Sequence, residues 1–382
     1  MLGVFCGRRA SVLHLMYITM TKSIPAIGFS VVLLMHFYSA SAQSKNDLFS
    51  KDQVVADMQK VYRWQMDNPV SFNAKNENDW ARAAFYTGVM ALYQTTQDQQ
   101  YLDAAIRWSE SFDWKLAQRF RHADDHAKGQ TYLEIYEIRK DPRMIADTKN
   151  TFDSLIMDPQ PGREDWWWCD ALFMAPPVLA RLYKATGDEK YLSFLSTMFW
   201  DTHAFLYDKD EHLFFRDKSY FDKKTPGGKK TFWARGNGWV LAGTARVLQY
   251  LPKDHPDYNK YASLFREMSA ALAKIQNKKD GLWRPSLLDE KEVPHPETSG
   301  SAFFCYAMAW GVNNCILDED KYLPVIKKSW KGLNRYLTPA GKLQWVQPIG
   351  AAPDKVTIEN YQEYGSGAFL LAASEIYKLS DN

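Results

Sequence analysis

The sequence is poor in cysteine, in net charge and in long apolar runs, and each shortage excludes a class of protein. Its 382 residues include only 4 cysteines, whose scattered positions fit neither a disulfide framework nor the spacing of a zinc site. The 47 basic and 45 acidic residues leave a formal net charge of +2, so no basic excess indicates nucleic-acid binding. The apolar run from Ile24 to Phe37 is too short to span a membrane comfortably, and we expect no membrane anchor.

The signatures of several cofactor and metal sites are also absent. The sequence has no P-loop, no dinucleotide-binding glycine fingerprint and no G-x-S-x-G elbow. Four histidines lack the spacing of metal ligands, namely His203, His212, His255 and His295. His122 and His126 stand four residues apart but have no third ligand nearby. We therefore expect neither a metal nor a cofactor.

Residues 1–42 are predicted to be a secretory signal peptide. Basic residues as far as Lys22 precede the apolar run, and Ala40-Ser41-Ala42 supplies the small residues that a signal peptidase requires before Gln43. Because residue 43 is not cysteine, lipid attachment there is not expected. Met20 is a second candidate for the initiator. Residues 43–382 are expected to form one catalytic domain, secreted across the inner membrane into the periplasm.

Apolar residues in this mature chain recur with the helical period, and few segments alternate with period two. The pattern predicts twelve helices, at 51–66, 79–93, 99–114, 125–138, 143–157, 167–184, 188–202, 238–250, 257–276, 299–316, 320–336 and 364–379. Helices that are apolar nearly all round alternate with helices that have one polar face. This alternation predicts an all-α fold, an (α/α)6 barrel of six inner and six outer helices. Functional residues should collect where the inner helices begin.

Asp170 is the first candidate catalytic residue. It lies in Trp166-Trp167-Trp168-Cys169-Asp170, near the start of the apolar helix predicted at 167–184. Burial among aromatic side chains would raise the pKa of this carboxyl, which suits a general acid. A helix N-cap is the alternative interpretation.

Asp124 and Asp125 open another inner helix in His122-Ala123-Asp124-Asp125-His126. Adjacent acids at a helix start are most often a cap and a partner for the helix dipole. If one of them faces Asp170 across the barrel, the two could form the carboxylate pair of a glycosidase. His126 is predicted to be polar lining of the same cleft.

Trp233-Ala234-Arg235-Gly236-Asn237-Gly238-Trp239 opens a further inner helix and predicts ligand contact. The two glycines let the backbone approach a ligand, and Arg235 could bind a carboxylate with two hydrogen bonds. The two tryptophans could stack on a sugar, as could Trp166 and Trp283, while Asn237 could contact it. The alternative is a glycine turn in which Arg235 pairs with a structural acid.

Three motifs carry a family resemblance: ADDHAKGQTYLEIY, WWWCDALFMAPP and FWARGNGWVLAG, in this order on successive inner helices. Together they resemble glycoside hydrolase family 105, the unsaturated rhamnogalacturonyl hydrolases, and the related family 88 unsaturated glucuronyl hydrolases. The likeness covers nearly the whole mature chain and implies the same barrel. It assigns the general acid/base to Asp170, a second carboxylate to Asp124, with Asp125 close enough to leave that choice open, and a substrate contact to Arg235. Arg216 is a departure, because many members carry histidine there.

The resemblance implies release of a 4,5-unsaturated uronic acid from the non-reducing end of lyase-generated oligosaccharides, derived from pectin or from glucuronide-bearing glycans. Asp170 would protonate C4 of the vinyl ether and assist the attack of water on C5, after which the hemiketal collapses and releases the neighbouring sugar. The uronide and the aglycone stay open. Two alternatives remain: an inverting glycosidase that uses Asp170 and Asp124 on saturated glycosides, and a non-catalytic glycan-binding protein.

Overall fold

The computed structural model describes residues 47–70 and 80–380. The predicted signal peptide therefore lies outside the described residues. From Leu48 onward the chain forms one compact unit. Within the described ranges, no helix is both long and apolar enough to cross a membrane.

The described residues form fifteen α-helices and one pair of short strands. The helices are α1 (Lys51–Asp67), α2 (Trp80–Thr96), α3 (Gln99–Glu110), α4 (Ala123–His126), α5 (Lys128–Arg139), α6 (Ala146–Met157), α7 (Gly162–Asp165), α8 (Ala171–Met174), α9 (Pro176–Thr186), α10 (Lys190–Leu206), α11 (Ala234–Leu248), α12 (Tyr258–Lys274), α13 (Thr298–Asn313), α14 (Glu319–Arg335) and α15 (Glu363–Leu379). The antiparallel strands are β1 (Tyr207–Asp208) and β2 (Leu213–Phe214). Each of the twelve predicted helices has a counterpart here.

Six of the helices close into an inner ring. Around this ring, α2 contacts α5, α5 contacts α9, α9 contacts α11, α11 contacts α13, α13 contacts α15, and α15 contacts α2. Outside them, α3, α10, α12, α14 and α1 each contact an inner helix, while α6 contacts α10. The predicted (α/α)6 barrel is confirmed, and solved structures of similar sequence, reported below, support it.

The inner helices are buried on all sides, as their composition predicts. Every residue of α11 is buried, and so is every residue of α13 before Asn313. Glycines let these helices cross with their backbones nearly in contact, since a Cβ on Gly88 of α2 would lie 2.6 Å from the carbonyl oxygen of Gly367 on α15. Side chains larger than hydrogen could not fit there.

Two of the predicted inner helices are interrupted at their N-terminal ends. The helix predicted at 167–184 breaks after Met174, because Pro176 and Pro177 lack the N–H groups that would continue the hydrogen-bond ladder and instead begin α9. The helix predicted at 125–138 is likewise preceded by the separate turn α4. These single turns, α4 and α8, contact each other, and α8 also contacts α11. The interruptions thus bring the three sequence motifs together at one end of the barrel.

Candidate active site

Asp170 lies immediately before α8 and is held from two sides. The Cys169 backbone N–H donates to the carbonyl of Arg216 at 2.9 Å, and the Cys169 thiol donates to Asp170 Oδ1 at 3.2 Å. A Cβ on Gly236 in the first turn of α11 would lie 3.6 Å from the same oxygen. The carboxyl is therefore fixed between α8, α11 and the segment that follows β2.

Burial dominates the protonation of Asp170 and of the neighbouring Asp124. Burial raises the pKa of Asp170, and the positive charges of Arg216 and Arg235 partly oppose that rise. Burial, together with the negative charge of Asp170, raises the pKa of Asp124 from 3.8 to about 7, while the positive charge of Arg119 opposes the shift. The two carboxyls are thus close enough to interact, and their environment favours a proton on the pair near neutral pH.

The structure separates the roles of the two adjacent acids in the α4 turn. The Asp125 side chain is fully buried and accepts hydrogen bonds from the Arg119 backbone N–H at 2.7 Å and from Arg119 Nε at 2.9 Å. Asp124 keeps 16% of its side chain exposed and lies 3.7 Å from Nδ1 of His122. Asp124 is therefore the acid that interacts with Asp170, whereas the Asp125 carboxylate is bound by Arg119, and a substrate contact of Asp125 stays a prediction.

Arg235 lies in the first turn of α11 and is fully buried. Most of the contacts of its guanidinium are with other groups of the protein. Nη1 donates to the carbonyl of Gln347, and Nη2 donates to the carbonyl of Pro348 at 2.9 Å. Its guanidinium carbon also lies over the rings of Trp233 and Tyr364, at 4.5 and 4.8 Å. Only Nε has no hydrogen-bond partner among the described residues. Arg235 thus holds the segment before α15 against the site, and a direct substrate contact stays a prediction.

Other residues of the same motif also hold this part of the barrel together. Trp233 is buried, and its Nε1 donates to Gln347 Oε1 at 2.8 Å. Asn237 is buried and exchanges hydrogen bonds with the backbone of Phe214, accepting at 2.8 Å and donating at 3.0 Å. It therefore fixes β2, and with it the Arg216 backbone, against α11. The polar groups of Trp233 and Asn237 thus form hydrogen bonds within the protein, and their substrate contacts stay predictions.

Trp239 lies inside the barrel, one turn further along α11. Its ring is in contact distance of Phe173, Phe303 and Trp80, at centroid separations of 4.7, 4.3 and 6.0 Å. It is fully buried, yet its indole N–H has no partner among the described residues. Other aromatic rings of the protein therefore cover the ring face of Trp239 that was predicted to stack on a sugar. Because its indole N–H is unpaired, a polar contact between Trp239 and substrate stays a prediction.

Three further predicted contacts belong to the core. Trp283 is 1% exposed and donates to the carbonyl of Leu272 on the outer helix α12, at 2.9 Å. His126 is 1% exposed and its Nε2 lies 2.9 Å from the Phe120 carbonyl, and Trp166 is 2% exposed. Protein atoms cover almost all of these three side chains, and their contacts with substrate stay predictions. Residue type alone cannot distinguish a buried tryptophan from one that lines a cleft.

The structure adds groups beside Asp170 that the motifs alone did not assign. Trp167 is 41% exposed, and the guanidinium of Arg216 lies 5.0 Å from the centre of its ring. Trp168 is buried against the ring of His122, at 4.6 Å. The run of three tryptophans and the unusual arginine at 216 were the available signals. Among the described residues, no group of three or more His, Cys, Asp or Glu side chains could hold a metal ion.

Comparisons with known proteins agree with this fold. The profile of Glycosyl Hydrolase Family 88 matches residues 51–380. The chain is 39% identical, over 86% of its own length and 92% of the relative's, to a protein of Formosa agariphila named unsaturated 3S-rhamnoglycuronyl hydrolase. A solved family 88 glycosyl hydrolase from Bacteroides vulgatus is 31% identical with a TM-score of 0.80, covering 86% of this chain and 99% of that one. Another solved chain, titled polysaccharide lyase BACCELL_00875, is 35% identical with a TM-score of 0.79 over 86% of this chain and 98% of that one.

Proposed function

Because the chain belongs to glycosyl hydrolase family 88 and is an unsaturated uronyl hydrolase, we propose that its substrate is an oligosaccharide with an unsaturated glycuronyl group on rhamnose. The name of the Formosa relative supports rhamnose as the neighbouring sugar. The observation that carries the catalytic proposal is the interacting pair Asp170 and Asp124, which burial keeps near protonation where α4, α8 and α11 meet.

Asp170 is the proposed general acid and base. Its proton passes to C4 of the C4=C5 bond, and positive charge develops at C5, where the ring oxygen stabilises it. Water then attacks C5 and returns one proton to Asp170, so the side chain ends the step as it began. The hemiketal at C5 opens to a ketone, which leaves a hemiacetal at C1. That hemiacetal collapses to an aldehyde and frees the aglycone, with one water consumed.

Asp124 is the proposed second carboxyl group. When Asp170 gives up its proton, the negative charge that it acquires is unfavourable beside an ionised Asp124. A raised pKa keeps a proton available on Asp124 at neutral pH, so Asp124 can donate a hydrogen bond to the attacking water or to a ring hydroxyl. This arrangement orients the nucleophile while the pair holds a single negative charge.

The chemistry of the unsaturated ring narrows the substrate question. A lyase that forms the C4=C5 bond makes both carbons planar, so glucuronic and galacturonic residues yield the same unsaturated sugar. The enzyme can therefore distinguish its substrates only by the anomeric linkage and by the aglycone. We accordingly place the specificity in contacts with rhamnose and with the bond to it.

Residues 1–42 are proposed to direct the chain across the inner membrane, with residues 43–382 acting in the periplasm. Such a location suits an enzyme that receives oligosaccharides after a lyase has shortened the polymer.

The direct test is a panel of lyase digests, followed by the ultraviolet absorbance of the conjugated C4=C5 bond. Falling absorbance on rhamnose-linked substrates supports the proposal, and falling absorbance only on other linkages would move the assignment to another aglycone. Rising absorbance on intact polysaccharide would identify a lyase. Activity confined to saturated glycosides would indicate an inverting glycosidase, and binding without turnover would indicate a glycan-binding protein.

A further inference from the structure

The substrate of the proposed reaction carries a carboxylate on C5, and this anion needs a cationic partner. Arg235 is the cation that the sequence motif suggests. Both of its terminal nitrogens, however, donate to the carbonyls of Gln347 and Pro348, and two aromatic rings cover its faces. Arg235 is also fully buried, so a more exposed cation beside Asp170 is better placed to meet the carboxylate.

Arg216 is the other positive charge next to Asp170. Its carbonyl accepts the hydrogen bond of the Cys169 N–H, which places its backbone against the residue before the acid. Its charge acts on both Asp170 and Asp124. The side chain is 17% exposed, in contrast to the fully buried Arg235. A guanidinium in this position is both close to the acid pair and accessible.

The contacts of Arg216 fix the orientation of its guanidinium and leave one edge of it without a hydrogen-bond partner among the described residues. Nη1 donates to Asp217 Oδ2 at 2.6 Å, and Asp217 is itself held by the Ser219 N–H at 2.8 Å. The guanidinium lies over the partly exposed ring of Trp167. Nε is buried and has no hydrogen-bond partner among the described residues. The edge formed by Nε and Nη2 has the geometry that binds a carboxylate through two parallel hydrogen bonds.

The positions of the atoms in the sugar ring indicate which anionic group of the substrate lies near the Nε and Nη2 edge of Arg216. Asp170 must reach C4, and the carboxylate is attached to C5, the next atom of the ring. The aglycone is attached to C1, on the opposite side of the ring from C4. A cation beside Asp170 is therefore close to the uronate carboxylate and distant from any charged group on the aglycone.

Resting on the proposed function, we propose that Arg216, supported by Asp217 and Trp167, binds the carboxylate of the unsaturated uronic acid and so determines specificity for an acidic sugar. Trp167 contributes a flat surface that limits where the guanidinium can lie, and the hydrogen bond from Nη1 to Asp217 fixes its orientation.

The test compares two probes with two proteins: a rhamnose-linked unsaturated disaccharide and its C6 methyl ester, each with wild type and with Arg216→Gln. Esterification itself changes the reactivity of the double bond. Beyond that intrinsic change, we expect the kcat/KM of the wild type to be about tenfold to a hundredfold lower on the ester than on the acid, because one charged contact is lost. With Arg216→Gln, the ratio of acid to ester should collapse toward the intrinsic value. That intrinsic difference cancels when the two ratios are compared.

Two further variants distinguish the possible outcomes. Arg216→Lys should retain part of the preference for the acid, and it decides the question if Arg216→Gln fails to fold. Arg163→Gln removes an arginine that likewise pairs with an aspartate, Asp201, and rests on an aromatic ring, Phe205, and it should keep the wild-type ratio. An unchanged ratio in both Arg216 variants would overturn the inference, whereas failure of wild type on both probes would overturn the proposed function instead.

Discussion

Asp124 and Asp125 show how two identical side chains at neighbouring positions acquire different properties. Asp125 accepts three hydrogen bonds from Arg119 and is closed to solvent. Asp124 interacts with Asp170, and burial together with that neighbouring charge raises its pKa to about 7. The sequence alone left the choice between them open, because only the position of Arg119 in the fold distinguishes them.

Replacing each acid by asparagine should produce opposite phenotypes. We expect Asp124→Asn to reduce kcat by about a hundredfold or more and leave folding intact, because the residue assists proton transfer. Asp125→Asn should weaken the link to Arg119 and lower the free energy of unfolding by about 1–3 kcal/mol, with the smaller part of the range favoured because the Arg119 side chain is 50% exposed. Steady-state kinetics and urea unfolding measure the two effects; the reverse pattern would exchange the roles of the two acids.

The raised pKa of Asp124 also predicts how stability depends on pH. In the folded protein this carboxyl binds its proton more tightly than in the unfolded chain, where its pKa is near 3.8. The wild type should therefore lose stability as the pH rises from about 4 to about 7, whereas Asp124→Asn lacks this loss. At about pH 8 the variant should be more stable than wild type by up to about 4 kcal/mol, and at about pH 4 the two should be similar. A difference that does not vary with pH would show that Asp124 is not buried beside a like charge.

At the scale of elements, the site depends on the single turn α8 and its contact with α11. A Cβ on Gly243 of α11 would lie 2.1 Å from the carbonyl oxygen of Leu172, so the two backbones touch. The proline pair after Ala175 separates α8 from α9. The turn that carries Asp170 is thus located by α11 rather than by the helix that follows it in sequence.

Gly243→Ala should consequently affect both folding and catalysis. The added methyl group must push α8 away, which we expect to cost about 1–3 kcal/mol of stability and to lower kcat because Asp170 moves with the turn. Gly350→Ala is the matched control, since its nearest neighbour would be 3.7 Å away and its backbone needs no special conformation. If Gly243→Ala unfolds like the control and retains full activity, α8 does not depend on that contact.

Helices could be predicted from the sequence far better than side-chain roles. Apolar periodicity reports which face of a helix is buried, and all twelve predicted helices exist. Every residue of α11 is buried, so apolar periodicity carries no information about side-chain roles there. It could not predict that the side chains of Trp233 and Asn237, at the start of this helix, form hydrogen bonds with other protein groups. Arg216 follows a two-residue strand outside any helical pattern, and its place beside Asp170 depends on pairing between distant segments.

At the scale of the molecule, the two ends of the described chain complete the barrel together. α1 contacts both α15 and α2, and the Trp330 indole N–H donates to the Leu48 carbonyl at 2.7 Å. Leu48, which contacts the barrel, thus lies only a few residues after the predicted cleavage position. Expression of the full-length gene with its own leader should yield periplasmic protein whose N-terminal residue is Gln43. Detection of the leader on the periplasmic protein, by N-terminal sequencing or intact mass, would contradict the predicted signal peptide.

The central claim is that Asp170 drives hydration of the C4=C5 bond and that release of the sugar follows from it. The most direct measurement is a proton NMR time course on the rhamnose-linked unsaturated disaccharide, recording the vinyl H4 signal and free rhamnose together. We predict that both change in a one-to-one ratio with wild type, and that Asp170→Asn slows both by about a hundredfold to ten-thousandfold while its unfolding curve stays cooperative. Rhamnose released while the vinyl signal persists, or a wild-type rate in Asp170→Asn, would contradict the account.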